Sequence, residues 1–210
     1  MAYVKASVRE EQIIAAARRV MSEHGVAGTT LRAVATEADI ALGTLHYVFP
    51  SKDQLLRAVI TDLMEEISRS LRSQLELGDG VEHAIREGIG GAWTRLTTSE
   101  LGQQIMQYEL SLYSLRSEDL GSMARWQYER YATVLTEWCE QAAAAAGERC
   151  AIGFDSLGRI ILATLDGLVL QYLANPDQDR ANRDLQHALD MFVLLADPQP
   201  VASGRARRQG

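Results

Sequence analysis

Groups able to do chemistry occur along this 210-residue sequence in spacings that suit binding rather than turnover. His83 and Glu87 stand one helical turn apart, the spacing of an ordinary surface pair. No two histidines sit at metal-ligand spacing and no nucleophile has an evident partner base, so neither a metal site nor a catalytic residue is expected. Gly88-Ile89-Gly90-Gly91 is glycine-rich, but no strand pattern precedes it, which argues against a dinucleotide loop and against a cofactor. Cys139 and Cys150 are too few for a disulfide framework and read as reduced thiols. An all-helical enzyme is the alternative that these patterns argue against.

The most densely patterned stretch runs Leu31-Arg32-Ala33-Val34-Ala35-Thr36-Glu37-Ala38-Asp39-Ile40-Ala41-Leu42-Gly43-Thr44-Leu45-His46-Tyr47-Val48-Phe49. Val34, Ala35, Ala38, Ile40, Leu45 and Val48 are apolar where two short, steeply crossing helices need a shared core. Ala35 is small where the two backbones come closest. Asp39 falls at the bend, and aspartate tolerates a left-handed backbone better than most residues. Helices joined in this way can lay the second in a DNA major groove while the first braces it. An ordinary packed helix pair shows the same spacing, so the flanking residues decide between the two.

Those flanks are Thr29-Thr30-Leu31 before the bend and Gly43-Thr44-Leu45-His46-Tyr47-Val48-Phe49-Pro50-Ser51-Lys52-Asp53-Gln54-Leu55-Leu56 after it. Residues from about 9 to 56 resemble the DNA-binding domain of the TetR (tetracycline-repressor) family, and the helical remainder is similar to that family's regulatory domain. The resemblance implies that Thr30 caps the bracing helix close to a phosphate, and that Arg32 reaches a phosphate or a base edge. It implies that Leu42, Gly43, Thr44, His46 and Tyr47 face DNA, with Gly43 allowing close approach and Thr44 meeting a base or a thymine methyl. Lys52 matches the family's phosphate-binding lysine. Ala41 stands where the family usually has Ser or Thr, His46 replaces a frequent tyrosine, Val48 replaces a common His or Tyr, and Leu42 often has a polar counterpart. The module is therefore expected to make fewer polar contacts than most, with more weight on apolar contact and DNA shape.

Apolar residues recurring at three and four predict helices at about 9–24, 30–37, 42–48, 52–77, 81–97, 101–115, 121–146, 155–174 and 180–196, an all-α fold with no sheet. Ile13, Ala17, Val20, Met21 and His24 share one face of the first. Ser51-Lys52-Asp53-Gln54 is a capping box that opens the fourth. The expected organisation is a three-helix DNA-binding domain with a helix-turn-helix over 1–50, a larger effector-binding and dimerisation domain over 51–197, and a disordered tail over 198–210. No run approaches the roughly 18 uninterrupted apolar residues of a membrane span. The N-terminus has no apolar signal core, so a cytoplasmic location without membrane contact is expected. Residues 1–60 carry seven Lys/Arg against six Asp/Glu, and the rest fourteen against twenty-two, so the N-terminal part is slightly basic and the body acidic. That balance permits DNA contact at one end.

In the body, Glu109 shares a helical face with Ile105, Met106, Leu112 and Tyr113. A carboxylate there either bridges to an arginine such as Arg125 or Arg130, or meets a donor or cation on an effector. Trp93, Met106, Glu109, Tyr113, Trp126, Tyr131 and Tyr172 form a composite candidate lining for a mostly apolar effector pocket. Leu162, Asp166, Val169, Leu185, Leu189 and Phe192, on the last two helices, are the candidate dimer interface; a monomer burying them in its own core is the alternative. The expected partners are a palindromic double-stranded operator, a second copy of the chain and a small molecule. A DNA-binding dimer governed by a protein partner is the rival reading.

Overall fold

The face set out by Ile13, Ala17, Val20 and Met21 is buried along α1 (Ala6–Gly28) in a computed structural model that describes residues 6–72, 79–98, 101–118 and 120–201. His24, placed on that face by its spacing, is exposed. The reason lies next to it. Gly25 takes φ 75°, a left-handed value that breaks the α-helical path and turns the end of α1 aside.

Two short helices follow, α2 (Leu31–Glu37) and α3 (Leu42–Val48), and then α4 (Lys52–Arg72). Each start has a local cause. The Thr30 hydroxyl accepts the Ala33 N–H at 3.1 Å, and the Ser51 hydroxyl accepts the Gln54 N–H at 3.2 Å. Asp39 makes the bend at φ 51°. Val34, Ala35, Ala38, Leu45 and Phe49 then close over the α1 face together with Leu55, Leu56, Val59 and Ile60 of α4. With α7 (Leu101–Arg116) and the first part of α8 (Gly121–Ala146) they share one core, the first of two compact units: residues up to 69 and 98–131. Met106 and Leu110 of α7 are buried in it.

The second unit holds residues 70–97 and 132 onward. A single helical run begins as α5 (Gly80–His83), passes through a π-helical segment, Ala84–Ile89, and continues as α6 (Gly90–Thr98). Gly88 in that segment lies against Trp138 of α8, where an added Cβ would come within 2.3 Å of the indole ring. This glycine is a close-approach residue, which accounts for the Gly-rich run. α9 (Phe154–Ala174) and α10 (Gln178–Ala196) pack on each other and on this run.

Two expectations need correction. Glu148–Arg149 (β1) and Gln199–Pro200 (β2) pair antiparallel, so the chain is not wholly without sheet. The tail therefore does not begin at 198: residues 198–201 are held here, and 202–210, with Arg205, Arg207 and Arg208, lie outside the described residues. Two-residue strands carry no alternation long enough to read. α9 holds no uninterrupted 18-residue apolar run, because Asp155, Arg159 and Asp166 break it, although its length and mean composition alone would suffice to cross a bilayer.

Candidate nucleic-acid interface

α3 divides sharply into an inner and an outer side. Leu45 is fully buried under α1 and α2, while Gly43, Thr44 and His46 are exposed and Tyr47 is 89% exposed. Leu42 is half-buried against the core, so its outer surface alone is free to meet a partner. Nothing lies within 4 Å of the position of a Cβ at Gly43, so its neighbourhood is open. Ala41 is the N-cap of α3 and supplies no side-chain bond, as its type dictates. Thr30 both caps α2 and is exposed, and Arg32 stands exposed one turn along.

The cations of this module are mostly committed elsewhere. Arg18 bridges Asp62 and Glu66, each at 2.8 Å, and Arg19 bridges Glu37 at 2.6 Å. Arg9 donates to Gln12 at 2.8 Å. Lys52 is placed differently from the expectation of a phosphate-facing lysine. Its ammonium donates to the Val26 carbonyl at 2.7 Å and the Ala27 carbonyl at 3.2 Å, and sits 5.4 Å from the centre of the Tyr113 ring. Burial lowers its pKa. Among the described residues of α1–α3, Arg32 is the one cation whose side chain makes no hydrogen bond or ion pair.

The Val26 and Ala27 carbonyls that accept from Lys52 belong to the same turn that Glu109 holds from α7. Glu109 Oε2 accepts the Val26 N–H at 2.8 Å and lies where a Cβ on Gly25 would be, 3.1 Å away. Its bond goes to the backbone, not to Arg125 or Arg130. Two others of the expected pocket residues are also taken up inside the first unit: the Ser22 hydroxyl donates to Met106 Sδ at 3.7 Å, and Tyr113 stacks under Lys52. Trp126 is 39% exposed on α8. In the second unit Trp93 and Tyr172 do come together, edge to face at 6.4 Å, with the Trp93 indole donating to Asn182 at 3.2 Å and the Tyr172 hydroxyl to the Thr97 carbonyl at 3.3 Å.

The expected dimer residues divide as well. Val169, Leu185, Leu189 and Phe192 are buried in their own chain, at 4% exposure or less, so they have no surface left to offer a partner. Leu162 and Asp166 are half-buried. The exposed apolar groups of α9 and α10 are instead Leu170, Met191 and Leu194, at 49, 44 and 81%. Helical periodicity alone finds a buried stripe without saying which chain buries it. Cys139 and Cys150 are free thiols, and burial pushes the Cys139 thiol up to about 12 and raises that of Cys150.

The buried polar groups that sequence reasoning passed over include Ser111, Ser114 and Gln127, and the indole N–H of Trp138. Gln127 had a usable signal. It stands four residues after Met123 and four before Tyr131, within an otherwise apolar stripe.

Residues 13–59 match the family described as "Bacterial regulatory proteins, tetR family", and residues 79–194 match "Tetracyclin repressor-like, C-terminal domain". The chain belongs to the TetR family. As a member it is a helix-turn-helix transcriptional regulator and not an enzyme. It is 28% identical over 185 residues to the nicotine-responsive transcriptional repressor HdnoR of Paenarthrobacter nicotinovorans, covering 88% of this chain and 94% of that one. Its fold is similar to that of the multidrug binding protein EbrR, solved with imidazole, at 28% identity and TM-score 0.61, covering 94% of this chain and 98% of that one. It is also similar to Salmonella enterica GusR, at 21% identity and TM-score 0.73, covering 92 and 98%. Both matched regions agree with the all-helical fold and the TetR resemblance of the motif at 31–49.

Proposed function

We propose that this TetR-family regulator is a homodimeric repressor that leaves a palindromic operator when a small, substantially apolar effector binds. Residues 1–50 read DNA in this scheme, and residues 51–197 bind the effector and the second copy. Arg32, Gly43, Thr44, His46, Tyr47 and the outer surface of Leu42 meet the duplex, with Thr30 at the phosphate end of α2. Lys52 acts indirectly, by holding the turn before α2. A DNA-bound regulator of this kind works in the cytoplasm. The similarity to a nicotine-responsive repressor and a multidrug binding protein supports an effector with a large apolar part.

The observation that carries the release mechanism is the shared hold on Val26. Its N–H is held from α7 by Glu109 and its carbonyl from α4 by Lys52. Any effector that binds better to one position of α7 or α4 shifts the turn that leads into α2. Two recognition helices must stand about 34–36 Å apart to enter successive major grooves on one face of DNA. A ligand therefore releases the operator only by its preference between arrangements, typically about 1–3 kcal/mol. Leu170, Met191 and Leu194 supply the apolar surface that a second copy would cover.

The test is selection of duplexes from a random pool, followed by gel-shift titration and sedimentation. A twofold-symmetric site bound by two chains, and released by apolar compounds, is expected. A monomer indifferent to every palindromic duplex at low salt overturns the reading.

A further inference from the structure

Polar side chains buried between helices are costly unless well paired, and the first unit concentrates them on one facing pair. Of the six buried polar residues among those described, Gln104, Ser111 and Ser114 lie on α7 and Gln127 on α8. Ser111 and Ser114 are neighbours on one face of α7, and across from them the Ser111 hydroxyl meets Gln127 Oε1 at 3.3 Å. Gln127 Nε2 in turn donates to the Tyr131 hydroxyl at 3.4 Å. Both distances are at or beyond the long end of hydrogen bonds of their kind. The Ser111 proton has a second acceptor in the Gln107 carbonyl at 3.2 Å, and one proton cannot serve both fully. The Ser114 hydroxyl, 1% exposed, has no partner at all.

Buried groups left loosely paired beside an orphaned hydroxyl are what a site keeps for a ligand that completes them. The geometry points to Ser111, Ser114, Gln127 and Tyr131 as the polar subsite of the effector pocket. This rests on the effector reading above. The chemistry of the set names the ligand class. Every member is neutral, and the carboxylate on the same helix, Glu109, is already bonded to the Val26 N–H. The preferred effector is therefore an uncharged, largely apolar molecule with one group that both donates and accepts, such as a hydroxyl or an unsubstituted amide. An ammonium would be stripped of water with no anion to receive it.

Three matched probes test this on the full-length dimer by fluorescence titration: naphthalene, 2-naphthol and 2-naphthylmethylammonium. The naphthol should bind roughly tenfold tighter than naphthalene, the worth of one good hydrogen bond to a buried group, and the ammonium more weakly than either. Ser114→Ala and Gln127→Leu together should bring the naphthol-to-naphthalene ratio close to one, by weakening naphthol relative to naphthalene. If the double variant fails to fold, Ser114→Ala alone, which removes only an unpaired hydroxyl, should still lower the ratio with Tm unchanged or raised. Equal binding of naphthol and naphthalene by the unmodified protein, or a ratio that survives the variants, overturns the subsite but leaves effector sensing standing. Tightest binding of the ammonium overturns the neutral ligand class. Binding of none of the three, with operator affinity intact, overturns the small-molecule reading itself.

Discussion

Glu109 of α7 accepts the backbone N–H of Val26, 83 residues earlier, at 2.8 Å. Val26 is 1% exposed, so this N–H has no access to water in its place. Glu109→Ala should cost about 1–3 kcal/mol, the penalty of stranding a buried donor, whereas Glu109→Gln keeps an acceptor and should cost about 1 kcal/mol or less. Urea unfolding measures both. Operator affinity should fall with Glu109→Ala, although the residue lies far from α3 in sequence. A variant that loses stability with unchanged DNA affinity would show that the turn does not transmit to the reader.

Lys52 has two possible employments, and salt separates them. If its ammonium serves the Val26 and Ala27 carbonyls, Lys52→Gln weakens operator binding without altering the slope of log affinity against log salt. If it serves a phosphate, the slope loses about one unit per reader. The expected result is an unchanged slope. The sign of its pH effect also follows. Burial lowers the folded pKa below 10.5, so between that lowered value and 10.5 the unfolded chain holds more protons, and this group's contribution to stability rises with pH there.

With Arg9, Arg18, Arg19 and Lys52 committed internally, Arg32 is the cation left at hand among the described residues of each reader. A dimer should then release few counterions, with a salt slope of about −2 to −4, shallower than the roughly −5 to −9 expected of proteins making six to ten phosphate contacts. Arg32→Ala should flatten it further. Fluorescence anisotropy between 50 and 200 mM salt, a range of about the usual width for such measurements, decides it.

Gly88→Ala places a methyl 2.3 Å from the Trp138 ring, a distance no packed side chain tolerates. The indole must move, and overpacking of this kind costs about 1–3 kcal/mol or more. Thermal melting followed by tryptophan emission should show a lowered Tm and a shifted emission maximum. An unchanged Tm would mean that the π-helical segment yields easily.

On α10, Leu194→Asp and Phe192→Ala should act on different properties. Leu194 is 81% exposed and Phe192 fully buried. The first should weaken self-association with the fold intact, and the second should cost about 3–5 kcal/mol of stability as a core truncation. Sedimentation and unfolding, run side by side, distinguish the two.

What could be read from the sequence was local. Thr30, Asp39 and Ser51 act through bonds and angles within three residues of themselves, and their types declare it. The starts of α2, α3 and α4 followed for the same reason, whereas the expected end of the fourth helix at 77 lies outside the described residues. The contacts of Lys52 and Glu109 could not be read there because their partners are backbone atoms around Val26, which have no sequence signature. Val169, Leu185, Leu189 and Phe192 were assigned to a partner because periodicity ranks faces by apolarity, and the most apolar face is the one a chain first uses for itself. The strands β1 and β2 were too short for any period to register.

That small ladder has a mechanical outcome. Beyond the Glu148–Pro200 pairing, the Ala151 N–H donates to the Ala196 carbonyl at 2.7 Å and the Val201 N–H to the Gly147 carbonyl at 2.8 Å. The hairpin of α9 and α10 is thereby clasped at its open end, turning two helices and their connection into a closed loop. Anything pressing on one leg is felt by the other, and cutting the chain just after α10 would unfasten the pair rather than trim a loose end.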